Sequence, residues 1–335
     1  LPPYRIDALI AAADLAQRID WGLLLYGVPD AWKETRGKGV KVAVLDTGID
    51  RAHPDLFDQV VDAKDFTGSP AGVGDRVGHG SHVAGIVAAR DNDRGVVGVA
   101  PDAELLIAKV LADDGSGRGE WVAEGIDWAV RQKAHVISLS LGSPHANERM
   151  HLAIMAATNA GVFVCCAAGN GGPNNQSIDY PAKYAEVVAI AATRNDGTLS
   201  EFSSRGPEIA FAAPGEGILS TWPGGRYARL SGTSMSTPYM AAVVALVKSR
   251  HLMPGVHKTP LVTRADVVDH LGRHAIDAGP QGTDPGFGRG IVHVGRLLAA
   301  EREATPPDIG QEIEIFGVNI HTPARAGDRL TIGVT

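Results

Sequence analysis

From residue 41 onward, the chain alternates short apolar runs with longer amphipathic stretches, and this alternation constrains the fold more than any other feature. Runs rich in Val, Ile and Ala predict strands buried on both faces. They are 41–45, 105–111, 136–141, 162–167 and 187–192. The stretches that predict helices are 79–90, 120–133 and 147–160. Strands that alternate with helices predict an α/β fold of three layers, in which a mainly parallel central sheet is covered by helices on both faces.

The charge and apolar content of the chain argue against two classes of partner. A formal net charge of -7 without a cluster of Lys and Arg argues against nucleic acid. No run approaches the roughly 18 apolar residues of a membrane span. The N-terminus lacks a basic and then apolar signal pattern, which agrees with a cytoplasmic location but also with a secreted protein whose signal was removed. The adjacent Cys165 and Cys166 lie in an apolar run and are predicted to be buried free thiols.

Two segments at the ends of the chain fall outside the alternating pattern. Residues 1–15 begin with Leu-Pro-Pro-Tyr and continue into an Ala-rich piece that we predict to be helical. Residues 301–335 carry two alternating runs, which predict a β hairpin or the start of a β module. The body that folds around the central sheet is therefore expected to span residues 16–300.

Two polar residues stand where predicted strands and helices meet. Asp46 ends the apolar run 42–45 and is followed by Thr47, so its carboxylate lies where a buried strand breaks into a turn. Alone, such an Asp predicts a turn or a helix cap. His79 stands at the start of a predicted helix, and His82 follows at a spacing that suggests a metal pair. No third ligand follows at a recognisable spacing, so zinc is the weaker interpretation.

Ser234 and Asn170 also occupy element boundaries. Ser234 lies just ahead of the apolar run 240–247, where free backbone N–H groups at a helix N-terminus favour an oxyanion. Alone, it predicts a simple N-cap. Asn170 follows the strand that carries the two cysteines, and its amide could donate to an oxyanion or merely close a turn.

These residues lie in four segments whose wording and order resemble the subtilisin (subtilase) family. The segments are Asp-Thr-Gly at 46–48, His-Gly-Ser-His-Val-Ala-Gly at 79–85, Ala-Ala-Gly-Asn at 167–170 and Gly-Thr-Ser-Met-Ser-Thr-Pro at 232–238. The family's chain order of Asp, His and Ser is kept. The resemblance extends over about residues 16–300 and implies a subtilisin-like fold and a serine endopeptidase that acts on protein or peptide substrates.

The resemblance also implies a role for each of these residues. Ser234 attacks the scissile carbonyl, His79 accepts and returns the proton, and Asp46 orients the imidazole. Asn170 and the Ser234 backbone N–H stabilise the oxyanion. Two alternatives stay open: a catalytically silent subtilase fold that binds a partner, and a metal-dependent hydrolase built on His79 and His82.

The resemblance further implies that two backbone segments flank an extended substrate. They are Gly115, Ser116 and Gly117 on one side and Ser140, Leu141 and Gly142 on the other. Ala167, Ala168 and Gly169 wall the pocket for the residue before the cut. Asp179 falls at the base of that pocket, where a carboxylate favours Lys or Arg. The alternative for Asp179 is an exposed loop residue.

Polar loops suggest calcium, which takes roughly 6–8 oxygen ligands. In the family's strong site, the ligands match the side chains of Gln17, Asp55 and Asn92 and the carbonyls of Arg90, Arg94 and Val96. A weaker second cation site matches the carbonyls of Ala182, Tyr184 and Val187. Calcium is expected to stabilise the fold without taking part in the chemistry.

The N-terminal extension resembles the Leu-Ile-Pro-Tyr prosegment of intracellular subtilisins, a branch that 28–32 and 121–133 also resemble. In that branch the extension crosses the active-site cleft. We therefore hypothesise that Pro2, Pro3 and Tyr4 restrain activity until they are removed; the alternative is a disordered terminus. The C-terminal tail departs from that branch, because an appended β module is commoner on secreted or multidomain relatives, whereas the resemblance to the branch itself implies a cytoplasmic location. A homodimer stays an open alternative.

Overall fold

The computed structural model describes residues 4–11, 15–174, 177–253, 261 and 263–304. Leu1–Thr305 forms one compact unit. The two strands predicted for the C-terminal tail lie outside the described residues. Within the described ranges, no helix combines the length and apolar character needed to cross a membrane.

The described residues form two sheets and several helices. The strands are β1 (Arg5–Ile10), β2 (Lys41–Asp46), β3 (Val60–Asp65), β4 (Glu104–Lys109), β5 (Val136–Leu139), β6 (Phe163–Ala167), β7 (Val188–Thr193), β8 (Ile209–Pro214), β9 (Ile218–Trp222), β10 (Arg226–Ser231), β11 (Ala275–Ile276) and β12 (Ile291–Val292). The helices are α1 (Trp21–Leu25), α2 (Val28–Ala31), α3 (His79–Ala88), α4 (Gly119–Arg131), α5 (Glu148–Asn159), α6 (Thr233–Leu252), α7 (Arg264–Gly272) and α8 (Val294–Ala304).

The larger sheet has the order β11-β12-β8-β7-β6-β5-β2-β4-β3. Each neighbouring pair is parallel except β11 and β12. Successive residues of a strand face opposite sides of the sheet. In β2, Val42 and Val44 belong to a core cluster with α3 and α6, whereas Ala43 and Leu45 belong to a second cluster with α4 and α5. The predicted three-layer α/β fold with a mainly parallel sheet is confirmed.

The adjacent cysteines of β6 follow the same alternation. Cys165 belongs to the first cluster and Cys166 to the second, so the two thiols lie on opposite faces of the sheet. Both are free and buried, as predicted. Burial raises the pKa of Cys165 to about 12, so this thiol stays protonated and behaves as a small apolar side chain.

The N-terminal extension contributes a strand to the second sheet, which has the order β1-β10-β9. The prediction of a helix is therefore wrong for Arg5–Ile10, which pairs antiparallel with β10. The alanines that favoured a helix include Ala12 and Ala13, which lie outside the described residues. Strand formation over 5–10 depends on the edge of β10, a partner more than 200 residues away, and local propensity does not report such a partner.

The β9–β10 hairpin is fixed to helix α3 by buried polar groups. His82 Nε2 lies 3.1 Å from the carbonyls of both Ile218 and Ala228, one on each strand of the hairpin. In return, the hydroxyl of Ser220 donates to the His82 carbonyl at 2.8 Å. Thr221 donates to the carbonyl of the preceding residue, Ser81, at 2.7 Å. The helix that begins with His79 and the hairpin therefore form one rigid support.

Candidate active site

Asp46 and His79, predicted from separate segments, are hydrogen-bonded to each other. Asp46 is the last residue of β2 and His79 is the first of α3, and both side chains are fully buried. His79 Nδ1 lies 2.8 Å from Asp46 Oδ1, which also accepts the Thr47 N–H at 2.7 Å. His79 Nε2 is buried and has no hydrogen-bond partner in the described part of the chain. The imidazole is thus anchored through one nitrogen, and the other is available to move a proton.

Sequence reasoning missed a second carboxylate that holds this pair together. Asp75 is buried and accepts the backbone N–H groups of Gly78 at 2.7 Å and Ser81 at 2.8 Å. It also accepts the hydroxyl of Thr47 at 2.8 Å, and that hydroxyl accepts the Gly80 N–H at 2.8 Å. Asp75 therefore caps α3 and ties it to the turn after Asp46. A carboxylate just ahead of a predicted helix is the signal that could have identified it.

Two glycines beside His79 are required by their surroundings. Gly78 has φ 95°, and a Cβ there would lie 2.4 Å from the Trp222 ring. A Cβ on Gly80 would lie 2.3 Å from the carbonyl oxygen of Gly48. The glycines let α3 approach the turn after Asp46 closely enough for the Asp–His bond.

Ser234 is the second residue of α6 and is fully buried. Its hydroxyl donates to the Ser140 carbonyl at 3.3 Å, and the Ser140 hydroxyl donates to the Ser234 carbonyl at 2.8 Å. The Ser234 carbonyl is available because Pro238, four residues later, has no N–H for the usual helical bond. In this structure the serine hydroxyl and His79 Nε2 are not hydrogen-bonded to each other.

Asn170 lies beside the N-terminus of α6 in a defined orientation. Its Oδ1 accepts the Thr233 N–H at 2.9 Å and the Thr233 hydroxyl at 3.1 Å. Since the oxygen of the amide is engaged there, the nitrogen lies on the other side, 3.3 Å from the position of a Cβ on Gly232. The Asn170 amide and the first N–H groups of α6 therefore lie around Gly232, the residue before Thr233.

The N-terminal extension reaches the same centre. The ring of Tyr4 lies 4.8 Å from the ring of His79, centroid to centroid, at an angle of 49°. Burial raises the pKa of the Tyr4 phenol, and the charges of Asp46 and Asp75 add to the effect. A neutral aromatic ring thus covers the buried imidazole. Pro2 and Pro3 lie outside the described residues.

A cavity of about 360 Å³ lies between the two segments predicted to flank the substrate. Gly117 lines it from one segment, and Leu141 and Gly142 line it from the other. Leu111, Val122 and Met150 supply apolar walls. Gly115 and Ser116 form the turn ahead of Gly117. The Ala112 N–H closes this turn by donating to the Ser116 carbonyl at 2.7 Å.

Asp179 lies between the predicted walls of the neighbouring pocket. Its Oδ2 would be 2.9 Å from a Cβ on Gly169, and its Cβ would be 3.0 Å from a Cβ on Gly142. Its N–H donates to the Ala168 carbonyl at 3.0 Å, next to Ala167 at the end of β6. The carboxylate is partly buried, and burial raises its pKa, opposed by Lys183.

The residues matched to the first calcium site converge on one loop. The fully buried carboxylate of Asp55 accepts the Val96 N–H at 3.0 Å, the Tyr227 hydroxyl at 3.0 Å and the Asn92 amide at 3.1 Å. Gln17 Oε1 accepts the N–H groups of Asn92 and the next residue, both at 2.9 Å. The Asp55 carboxylate makes no ion pair within the described ranges. Buried charge without a counter-charge is costly, so this oxygen-rich donor set fits a calcium ion.

The carbonyls matched to the second cation site do not fit a cation. Arg264 Nε donates to the Val187 carbonyl at 2.6 Å. The Tyr184 carbonyl accepts the Val187 N–H at 3.4 Å, and Ala182 belongs to the same turn. A guanidinium therefore already supplies positive charge at one of the three oxygens.

The zinc interpretation of His79 and His82 has no support in the geometry. His79 bonds Asp46, whereas His82 Nε2 faces the hairpin carbonyls. Burial, with a smaller contribution from His79, lowers the pKa of His82 to about 3. In the described part of the chain, no three His, Cys, Asp or Glu side chains are arranged to hold a metal.

Comparison with known proteins places this chain in a family. Residues 37–290 match the profile of the subtilase family. An "Intracellular serine protease" of Paenibacillus polymyxa is 46% identical over 253 residues, 73% of this chain and 77% of that protein. The "Major intracellular serine protease" of Bacillus subtilis (strain 168) is 46% identical over 237 residues, 68% and 74% of the two chains. "Subtilisin BL" of Lederbergia lenta is 41% identical over 279 residues, 83% and 98% of the two chains.

These similarities confirm the predicted subtilisin-type serine protease and its resemblance to the intracellular branch. The chain belongs to the subtilase family.

Proposed function

We propose that this chain is a serine endopeptidase that cleaves peptide bonds through an acyl-enzyme formed on Ser234. The 2.8 Å bond between His79 Nδ1 and Asp46 Oδ1 is the observation that carries the proposal. It keeps the proton on Nδ1, so Nε2 is the basic nitrogen and can accept the proton of the serine hydroxyl. Ser234 Oγ must first exchange its bond to the Ser140 carbonyl for one to this nitrogen.

The reaction then proceeds in two steps that both use His79. Ser234 Oγ bonds to the carbonyl carbon while His79 Nε2 takes its proton, and the tetrahedral intermediate collapses as that proton passes to the leaving amine. Water repeats the sequence on the acyl-enzyme and releases the acid. The buried Asp46 carboxylate stabilises the imidazolium that forms in each step.

The oxyanion of the intermediate needs donors that are already in place. Asn170 is suited to this role because Thr233 holds its amide oxygen, so the amide nitrogen is turned toward Gly232. The Ser234 N–H, in the first turn of α6, is the second donor, and the helix dipole favours negative charge there. Both groups would be oriented before substrate arrives.

A preference for Lys or Arg before the cut is part of the proposal. Asp179 lies between Gly142 and Gly169 with no ion pair of its own among the described residues. A carboxylate in that position gains a partner when a basic side chain enters the pocket.

Calcium is proposed at the Asp55 loop only. The ion would be held by Gln17, Asp55 and Asn92 with backbone carbonyls of the loop, and it would supply the missing counter-charge. The loop contains none of the residues proposed to transfer protons. Calcium is therefore expected to affect stability and not the chemical step.

The extension is proposed to restrain the enzyme, and a cytoplasmic location is proposed with it. Tyr4 covers the His79 ring, and β1 occupies the edge of β10 that ends three residues before Ser234. The names of the two intracellular relatives support the compartment.

A fluorophosphonate probe tests the nucleophile. We expect labelling at Ser234, mapped by mass spectrometry, that Ser234→Ala abolishes. Ser236→Ala is the matched control, because its hydroxyl bonds the Ala213 carbonyl at 2.9 Å in the same helix. Hydrolysis that a zinc chelator stops, without labelling, would indicate the metal hydrolase instead. The absence of both labelling and hydrolysis, also in the Ala8→Pro, Leu9→Pro variant that releases the extension, would indicate the silent binding protein.

The full-length double variant Ala8→Pro, Leu9→Pro tests the restraint. Consecutive residues of a strand alternate in facing the neighbour, so one of the two changes removes an N–H that faces β10. We expect labelling and hydrolysis of a short substrate to be at least about tenfold faster, the equivalent of one or two net hydrogen bonds. Leu9→Ser keeps the backbone and is the control. Equal rates in all three proteins would contradict the restraint.

A further inference from the structure

The sequence contains a single Asn-Gly pair, and that pair lies at the proposed oxyanion site. It is Asn170-Gly171, whereas every other asparagine is followed by a residue that carries a side chain. Asn-Gly is the most labile asparagine pair, because no side chain on the glycine hinders the attack of its nitrogen on the asparagine amide. Gly171 is exposed, so water reaches the pair. The residue proposed to stabilise the oxyanion is therefore subject to a spontaneous conversion.

This conversion needs water and no other reactant. The Gly171 backbone nitrogen loses its proton and bonds to Cγ of Asn170, and the side-chain amide nitrogen takes up a proton and leaves as ammonia. The product is a cyclic succinimide. Water then adds to one of its carbonyl carbons and opens the ring, which leaves an aspartate or an isoaspartate at position 170. In either product a carboxylate has replaced the amide.

A carboxylate at position 170 is unsuited to an oxyanion. It has no proton to donate when ionised, and it carries a charge of the same sign as the intermediate. In subtilisin itself, loss of the asparagine donor lowers kcat about 10²- to 10³-fold. The conversion would thus inactivate the enzyme while Asp46, His79 and Ser234 stay chemically intact.

The electrophile of this reaction is activated by its surroundings. The Thr233 N–H and hydroxyl donate to Asn170 Oδ1 at 2.9 and 3.1 Å. Both bonds draw electron density away from Cγ, and they stabilise the negative charge that Oδ1 gains when a nucleophile attacks that carbon. The contacts that orient the asparagine for catalysis therefore also favour its own conversion.

The nucleophile, in contrast, is restrained by a buried serine. The Gly171 N–H donates to Ser204 Oγ at 3.0 Å, and Ser204 is fully buried. The Ser204 hydroxyl donates to the Ser177 carbonyl at 2.7 Å, and the Ser204 N–H donates to the Gly169 carbonyl at 3.0 Å. The acceptor is thus fixed on two further sides. The Gly171 N–H has to leave this bond before a base can remove its proton.

The glycine itself is required by the packing around Ser204. A Cβ on Gly171 would lie 3.0 Å from the Ser177 Cβ and 3.4 Å from Ser204 Oγ. A larger residue would therefore displace the serine whose carbonyl holds Ser204. The small residue that makes the pair labile is part of the arrangement that restrains it.

We propose that Asn170-Gly171 is a modification site at which the folded enzyme inactivates itself through a succinimide. Ser204 sets the rate of this conversion by binding the N–H of the attacking nitrogen. The conversion itself does not depend on the peptidase function, whereas its effect on hydrolysis rests on that function.

The test ages the full-length Ser234→Ala protein, in which self-digestion does not interfere, in a mildly alkaline buffer. Peptide mapping by mass spectrometry follows the change of amide to acid at residue 170. We expect Ser204→Ala to convert at least about fivefold faster, the equivalent of one net hydrogen bond. Ser203→Ala is the matched control, because this neighbouring buried hydroxyl accepts the Ala192 N–H at 3.0 Å. Equal rates with and without Ser204→Ala overturn the inference.

Two further measurements separate the restraint from a general loss of stability. Asn159, an exposed residue followed by Ala160, reports the background conversion in each variant, and its rate should not change. If Ser204→Ala does not fold, Ser204→Cys keeps the shape of the side chain and replaces the oxygen by a weaker acceptor, so the same acceleration is expected. An equal acceleration at Asn159 overturns the role of Ser204.

The active Ala8→Pro, Leu9→Pro protein connects the conversion to hydrolysis. Its rate on a short chromogenic substrate, per mole of intact chain, should fall in proportion to the fraction converted at residue 170. Loss of activity without conversion overturns this inference and leaves the peptidase function standing. Conversion without loss of activity overturns the inactivation together with the oxyanion role of Asn170. A fresh protein that hydrolyses nothing contradicts the peptidase function, while the mass measurements still decide the conversion.

Discussion

The two halves of the cleft are supported in different ways. On the covered half, β9 and β10 are joined to α3 by buried hydrogen bonds from His82, Ser220 and Thr221. On the open half, a cavity of about 360 Å³ lies between two loop segments that include Gly117 and Leu141. The first half offers a strand edge and few side-chain contacts, whereas the second offers a walled space.

Each half is nevertheless fixed to one member of the proposed triad. The hairpin is joined to the helix that begins with His79, and the Ser140 segment exchanges two hydrogen bonds with Ser234. The two halves therefore differ in structure: one is a backbone edge covered by β1, and the other is a cavity walled by side chains. Changes on one side should therefore leave the other side's preferences intact.

The largest effect is expected at the junction of the two halves. Removal of the triad serine lowers kcat of subtilisin itself by about 10⁶-fold, and Ser234→Ala should cause a loss of that order here. The hydroxyl makes one long bond, to the Ser140 carbonyl at 3.3 Å, so stability should change little. Steady-state kinetics and urea unfolding measure the two quantities. Substantial residual hydrolysis would remove Ser234 from the chemistry.

The covered half should lose stability in mild acid because of His82. Burial lowers the pKa of this histidine to about 3, against 6.5 when unfolded. Below pH 6.5 His82 therefore binds a proton in the unfolded state, whereas in the folded state it stays neutral down to about pH 3. The resulting loss is about 1.4 kcal/mol per pH unit, or about 2 kcal/mol between pH 7 and pH 5.

The measurement compares urea unfolding at pH 7 and pH 5 in the inactive Ser234→Ala background, where self-digestion does not interfere. His82→Gln should show a smaller loss between the two pH values than the parent. His145→Gln, a change at an exposed histidine, is the control. The same loss in all three proteins would contradict the account of His82 as the neutral link between α3 and the hairpin.

The open half should lose its charge preference when Asp179 is replaced. Asp179→Ser is expected to lower kcat/KM for substrates with Lys or Arg before the cut by roughly 10- to 100-fold, about 1.4–2.7 kcal/mol. Substrates with Leu at that position should be unaffected. Asp196→Ser removes the same charge from an exposed position and is the control. If both variants behave alike, the effect comes from net charge and the open half does not read side chains.

The smallest effects concern the two cation predictions, which lie outside both halves. Chelation should lower the melting temperature of the parent, and Asp55→Asn should remove that response. At a calcium concentration of about 5 Kd the stabilisation is about 1 kcal/mol. Arg264→Met should create a weaker response to K⁺ by freeing the Val187 carbonyl. If chelation does not lower the melting temperature of the parent, the Asp55 site is contradicted. If Arg264→Met does not respond to K⁺, the interpretation that the Arg264 guanidinium takes the place of a cation is contradicted.

Much of the fold followed from local patterns. Apolar runs predicted the parallel strands, because a strand covered on both faces has to be apolar at every position. The amphipathic stretches between them predicted the helices. The motif around Ser234 similarly predicted a helix start with a hydroxyl in its first turn, where α6 begins. The strand β1 was missed because its pairing partner is distant in the chain.

The amino-acid sequence by itself determined the layered sheet, the family and the residue types of Asp46, His79, Asn170 and Ser234. The tertiary structure alone decided which groups support them: Asp75 under the His79 helix, Arg264 at the Val187 carbonyl, and the extension along β10. The physical reason is range. Periodicity and motifs record what neighbouring residues need from one another, whereas hydrogen bonds between distant segments exist only after the sheet has brought them together.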